Sequence, residues 1–262
     1  MATLLRPDNS PTGVKTVGCY AAQLGDCDGN SLSAEHYISR NVLQQIGDNV
    51  TFQGFPWAEE PRSIGIGAAT ARILCARHNN ALSPLDSAAG EFFRCLVDFH
   101  AGDLHGVHQF DGEDIERWMM KVLFGLIASR NAGRHDKQKR RSDPPREFLE
   151  VLFWDVPLGL LGLRRGLYFF ETPDDPALQA NVITFIPKTY EQGHPEAGML
   201  FGLSAVLLGV GLCIAIGTGF SANTGGLVYR SAGLDLGDNA KLDFLWSSAH
   251  SGPRIALSLS PT

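Results

Sequence analysis

ILCARHNNALSPLD, residues 73–86, sets Cys75 and His78 close together, with two residues between them, ahead of two asparagines and an aspartate. Cysteine and histidine at this spacing form a close pair of metal donors, and a tetrahedral site is completed when a second pair folds against the first. Upstream, GCYAAQLGDCDGN supplies Cys19 and Cys27, separated by seven residues in a turn rich in Gly, Asp and Asn. Cys19, Cys27, Cys75 and His78 would then make a structural zinc site of three cysteines and one histidine. Buried cysteines without metal are the other reading, because free cysteine is a common core residue. From Cys19 to Asp86, Gly, Pro and Asn interrupt every apolar run, so an ion would have to do there what a core does elsewhere.

Beyond this segment the chain can bury a core of its own. It has 262 residues, of which 44% are hydrophobic and 19% charged, with 29 glycines and 14 prolines, so an α+β fold with many turns is expected. The formal charge of −6 argues against a broad nucleic-acid-binding face and leaves room for a local basic groove. Five cysteines are an odd number, and MATLLRPDNSPTG lacks the charged-then-apolar design of a secretory signal, so a cytoplasmic location is expected.

Two helices are expected after the cysteine and histidine pairs. Leu85, Ala88, Ala89, Phe92, Phe93, Leu96 and Val97 recur at helical spacing, with Ser83 or Asp86 as cap. Capping is the role expected of Asp86. Ile115, Trp118, Met119, Val122, Leu123 and Leu126 share a second helical face that ends near Ser129, and acidic residues fill its first turn. Residues 133–146, GRHDKQKRRSDPPR, hold six Lys or Arg against two Asp and read as an exposed connector. EFLEVLFWDV suggests a short helix, and GLYFFETP, NVITFIPKTY, GGLVYRSAG, KLDFLWSSA and RIALSLS suggest strands. Residues 198–220 carry no charge and are long enough to span a bilayer. Six glycines interrupt that run and no Lys or Arg flanks it, so two buried strands turning at Gly209 and Gly211 are favoured over a membrane span. The expected organisation is a zinc module over 1–97, helices and a basic linker over 98–146, and a β-rich region over 147–262.

Between the cysteine pairs lies SAEHYISRNVL, with Glu35 and His36 adjacent. The order Cys19, Cys27, Glu35-His36, then Leu74-Cys75-x-x-His78-Asn79, resembles the HNH endonuclease-like treble-clef (ββα-metal) proteins over about residues 17–97. The resemblance implies DNA phosphodiester hydrolysis, with RNA as a possible second substrate. His36 would be the general base. Glu35 and Asn79 would hold a catalytic Mg²⁺ or Mn²⁺. The zinc would be structural. The family's base-orienting Asn is missing from GIGAATARILC, where Thr70 is the nearest polar residue, and the Pro that commonly follows the base is replaced by Tyr37-Ile38-Ser39. A non-catalytic zinc-stabilised scaffold or nucleic-acid-binding protein is the alternative function. Arg40 and the basic run, including Lys139, Arg140 and Arg141, are the candidate phosphate contacts.

Two weaker constellations remain. His100, His105 and His108 cluster on what reads as a loop between helices, where solvated side chains are expected more than a metal site. Ser204 in GLSAVLLG lacks the final glycine of a nucleophile elbow, and Val206 stands in its place.

Overall fold

The computed structural model describes residues 11–55, 58–131, 143–154, 156–162, 164–172, 182–189, 200–217, 226–237, 240–247 and 251–257. The basic stretch with Lys139, Arg140 and Arg141 lies outside them. The fold is mixed α and β. Strand β1 (Leu32–His36) is followed by helix α1 (Arg40–Ile46), strands β2 (Asn49–Gln53), β3 (Arg62–Gly65) and β4 (Thr70–Cys75), and helices α2 (Ala76–Ala81) and α3 (Ser83–His100). Next come β5 (Gly106–Asp111), α4 (Gly112–Ala128) and α5 (Arg146–Trp154). The rest is sheet: β6 (Gly166–Glu171), β7 (Val182–Thr189), β8 (Leu200–Leu207), β9 (Val210–Ala215), β10 (Leu227–Tyr229), β11 (Gly233–Asp235), β12 (Ala240–Leu245) and β13 (Ile255–Ala256).

Three sheets organise these strands. β1 and β4 form an antiparallel pair by themselves, seven strands run in the order β10-β6-β9-β8-β7-β2-β3, and four run β13-β11-β12-β5. β2 pairs in parallel with β7, and β5 in parallel with β12. The seven-stranded sheet thus draws strands from either side of the boundaries expected at 97 and 146, and the four-stranded sheet from either side of 146. Apolar residues from Cys19 to Leu257 pack into a continuous core.

Helix α4 is the axis of that core. Asp111 caps it by accepting from the backbone N–H groups of Glu113 and Asp114, and it ends at Ser129, as its apolar period predicts. Every residue of α4 except Asp114 and Ile127 is buried. A helix enclosed on all sides can carry charge only if each charge finds a partner. Glu113 accepts from the backbone and side chain of Ser247, at 2.9 and 2.7 Å. Glu116 takes a forked pair of bonds from Arg230, at 3.0 and 2.7 Å, and also accepts from Leu167 N. Lys121 turns toward β1 and α3.

Some local expectations hold and others change. Residues 200–215 form the antiparallel hairpin β8–β9, turning through Leu208 (φ +48°) and Gly209 (φ +77°), while Gly211 lies within β9. Among the described residues no helix is long and apolar enough to cross a membrane. The stretch read as a loop around His108 is instead strand β5, because its parallel partner β12 supplies hydrogen bonds that the local sequence does not advertise. Ser204 is buried inside β8 opposite Cys213, with no strand-to-helix elbow.

Candidate metal centre and the Glu35–His36 site

The cysteine and histidine pairs are brought together by the β1–β4 ladder and the turn preceding it. Tyr20 N donates to Ile73 O at 2.9 Å, laying the Cys19 turn along β4. Asp28 accepts from Arg77 N at 3.1 Å, fixing the other end of that turn to the start of α2. β4 ends at Cys75 and α2 begins at the next residue, so one helical turn carries His78 back over Cys75.

The ligand atoms of Cys19, Cys27, Cys75 and His78 all lie within 4.8 Å of one another, and all four residues are buried. From His78 Nδ1 the three sulfurs are 3.1 Å (Cys75), 3.6 Å (Cys19) and 3.8 Å (Cys27) away. Tetrahedral zinc with ordinary Zn–S and Zn–N bonds separates nitrogen from sulfur by about 3.5 Å. The donor set therefore fits a metal such as zinc, and it is the single such group among the described residues. The Cys75 thiol is already held down by the Cys19 thiol, which donates to it, and by His78, so one thiolate is stabilised by the protein alone. The other face of the His78 ring meets Phe153 of α5 edge-on at 5.0 Å.

Glu35 and His36 occupy the end of β1 away from the cluster. In the ladder Glu35 faces Ala71 and His36 faces Thr70, the residue singled out as the nearest polar candidate for orienting the base. The Thr70 hydroxyl is used elsewhere, donating to Gly67 O at 3.2 Å. His36 Nε2 is buried and has no hydrogen-bond partner among the described residues. Burial first, then the positive charges of Arg40 and Lys121, lower the His36 pKa, so the imidazole is neutral at neutral pH with a ring nitrogen uncommitted. Arg40, the first residue of α1, is exposed beside it.

Glu35 does not stand free. Its Oε1 lies 2.6 Å from Lys121 Nζ, and the same ammonium lies 2.5 Å from Asp86 Oδ1. Burial raises the Glu35 carboxyl to about 6 despite the pull of Lys121, with the neighbouring Asp86 pushing the same way. Asp86 is not the cap of α3: that position is Leu82, without a side-chain cap bond. The Asp86 carboxylate accepts instead from Lys121 and from Ser39 Oγ, and Ser39 Oγ accepts from Trp118 Nε1 at 2.7 Å. The helices meet closely here because Gly90 of α3 faces the Asn41 side chain of α1, where a Cβ would come within 2.4 Å of Nδ2. That amide donates to Asp86 O. Asn79 is half-buried on α2.

A divalent ion at Glu35 would meet an ammonium already bound to the same carboxylate oxygen, so Glu35 as placed does not fit the expected oxygen-ligand role. The second histidine group does not converge on a metal. His100 Nε2 bonds Leu208 O at 3.2 Å and His108 Nε2 bonds His105 O at 3.1 Å. Lys121 and Ser39 have no site role in the sequence reading, and Trp118 figures there only as part of an apolar helical face. The signal available was a lone lysine inside the apolar run WMMKVLF. Comparison with protein families, curated proteins and solved structures finds no match to this chain.

Proposed function

We propose that this chain is an HNH-type endonuclease that hydrolyses phosphodiester bonds in DNA, with His36 as general base. The observation that carries this reading is the strand–strand–helix arrangement: β1, ending in Glu35-His36, lies antiparallel to β4, which runs through Cys75 into the helix bearing His78 and Asn79. Zinc on Cys19, Cys27, Cys75 and His78 would supply folding free energy and fix that geometry, taking no part in the reaction. A neutral His36 would take a proton from water as the water oxygen attacks phosphorus and the phosphorus–oxygen ester bond breaks, the leaving sugar oxygen taking a proton from solvent. Exposed Arg40 beside it would meet the phosphate's negative charge.

The test is nicking of supercoiled plasmid by the zinc-loaded full chain, with and without added Mg²⁺ or Mn²⁺, beside His36→Ala. Wild-type nicking that drops roughly 100-fold or more in the variant supports the reading, in line with the usual weight of a general base. Equal nicking in both proteins, or none in either, removes it. The ion pair between Glu35 and Lys121 favours a second reading, a non-catalytic zinc-stabilised nucleic-acid-binding scaffold. Salt-dependent DNA binding without cleavage selects that one.

A further inference from the structure

Four elements converge on one buried nitrogen. β1 brings Glu35, the turn into α1 brings Ser39, α3 brings Asp86, and α4 brings both Trp118 and Lys121. Lys121 is 1% exposed and Glu35 5%, and one oxygen of each carboxylate lies within 2.6 Å of the ammonium. Ser39 donates to the Asp86 oxygen that Lys121 also holds. Two carboxylates this close to one point repel unless a cation lies between them, and burial sharpens the requirement.

Mg²⁺ or Mn²⁺ would need oxygen ligands at about 2.0–2.2 Å in a near-octahedral shell. The ammonium takes that place with the wrong chemistry for exchange, since it is tethered to the central helix and cannot be chelated away. We propose that Lys121 is the resident cation of this site, so that the Glu35 position, where the HNH resemblance implies a divalent ion, takes none. The inference deepens the proposed hydrolysis and rests on that reading for its catalytic meaning: cleavage would proceed without a divalent ion held by Glu35.

The experiment follows the loss of free Mn²⁺ signal by electron paramagnetic resonance as Mn²⁺ is titrated into zinc-loaded protein in metal-depleted buffer. Wild type, Glu35→Gln, Lys121→Ala and the double variant Lys121→Ala/Glu35→Gln are compared. Wild type is expected to take up no Mn²⁺ that depends on Glu35. Lys121→Ala vacates a position between two carboxylates and is expected to bind Mn²⁺ at least about tenfold tighter than wild type, an affinity the double variant loses. One equivalent of Mn²⁺ bound by wild type and lost in Glu35→Gln overturns the assignment. If Lys121→Ala fails to fold, wild type against Glu35→Gln decides alone. Plasmid nicking in parallel separates this question from the hydrolase. No nicking with no Glu35-dependent uptake sinks the hydrolase and leaves Lys121 assigned. Nicking that needs Mn²⁺ bound through Glu35 sinks the Lys121 assignment and leaves the hydrolase.

Discussion

Two buried polar clusters lie at opposite ends of the β1–β4 ladder, and they solve the same electrostatic problem differently. At one end Cys19, Cys27, Cys75 and His78 bring four metal-donor atoms within 4.8 Å of one another. At the other, Glu35 and Asp86 close on Lys121 Nζ at 2.6 and 2.5 Å. The first cluster could take a cation from solution, and the second has its cation from α4. Burial makes both expensive to leave unpaired, but metal supply would govern the first and the chain alone governs the second.

The largest effect should come from emptying the first cluster. A structural zinc site of this kind contributes on the order of 10 kcal/mol, comparable to the whole stability of a domain. Cys75→Ala, or chelation of the wild type, should abolish the cooperative unfolding transition seen by circular dichroism, and zinc content should fall from one equivalent to none. A metal-free protein that unfolds at the same denaturant concentration as the loaded one would show that the cluster is not what organises residues 19–86. The corresponding chelation should leave the Glu35–Lys121–Asp86 cluster without a direct effect, since its cation is covalently part of α4.

The same contrast explains what was legible in the sequence. Cys75, His78, Cys19 and Cys27 could be found because metal ligation demands particular residue types at close spacing, and residue type is what a sequence displays. The burial of Lys121 had a signal in the apolar run around it, but its partners had none, because they are brought together only by the packing of α4 on β1 and α3. α4 itself was visible from its apolar period, and its end at Ser129 agrees. Glu116, Arg117 and Lys121 look in sequence like a solvated face, yet all three are buried. Asp86 was read as a cap because a short acidic residue near a helix start usually is one. The helix begins at Ser83, which puts Asp86 inside the first turn, where its carboxylate reaches Ser39 and Lys121. Strand β5 was missed for a similar reason: its pairing partner β12 lies far along the chain, and GVHQFD alone has no clear alternation.

A smaller effect should mark the second cluster. The Glu35 carboxyl titrates at about 6 in the folded chain against an ordinary value of 4.5. The folded state therefore holds this proton more tightly than the unfolded chain does. The stabilisation is present in full below pH 4.5 and is lost as pH rises through 6, a change of about 2 kcal/mol. His36, lowered from its ordinary value, gives a slope of the opposite sign, so Glu35→Gln is the right reference. Urea unfolding in steps from about pH 4 to about pH 7 should show wild type losing stability relative to Glu35→Gln across this window. Parallel curves for the two proteins would mean that Lys121 fully compensates the buried carboxylate and that burial does not dominate.

The smallest effect comes from an aspartate that does what Asp86 was expected to do. Asp111 Oδ1 accepts from Glu113 N at 3.0 Å and from Asp114 N at 3.3 Å, satisfying two of the free donors at the start of α4. Removing such a cap typically costs about 1 kcal/mol. Asp111→Ala should therefore lower the urea midpoint modestly, with zinc content and plasmid nicking unchanged. Asp86→Ala should behave differently, because α3 loses no cap while Lys121 loses one of its two carboxylates and the Ser39 hydroxyl loses its acceptor. Lys121 keeps Glu35 as its counter-charge, but opening a buried hydrogen-bonded network at one member costs more than a lost cap. If the two variants lose equal stability, the Lys121 contact with Asp86 has no more weight than an exposed hydrogen bond, and the contrast between a cluster closed by the chain and one closed by solvent metal loses its main support.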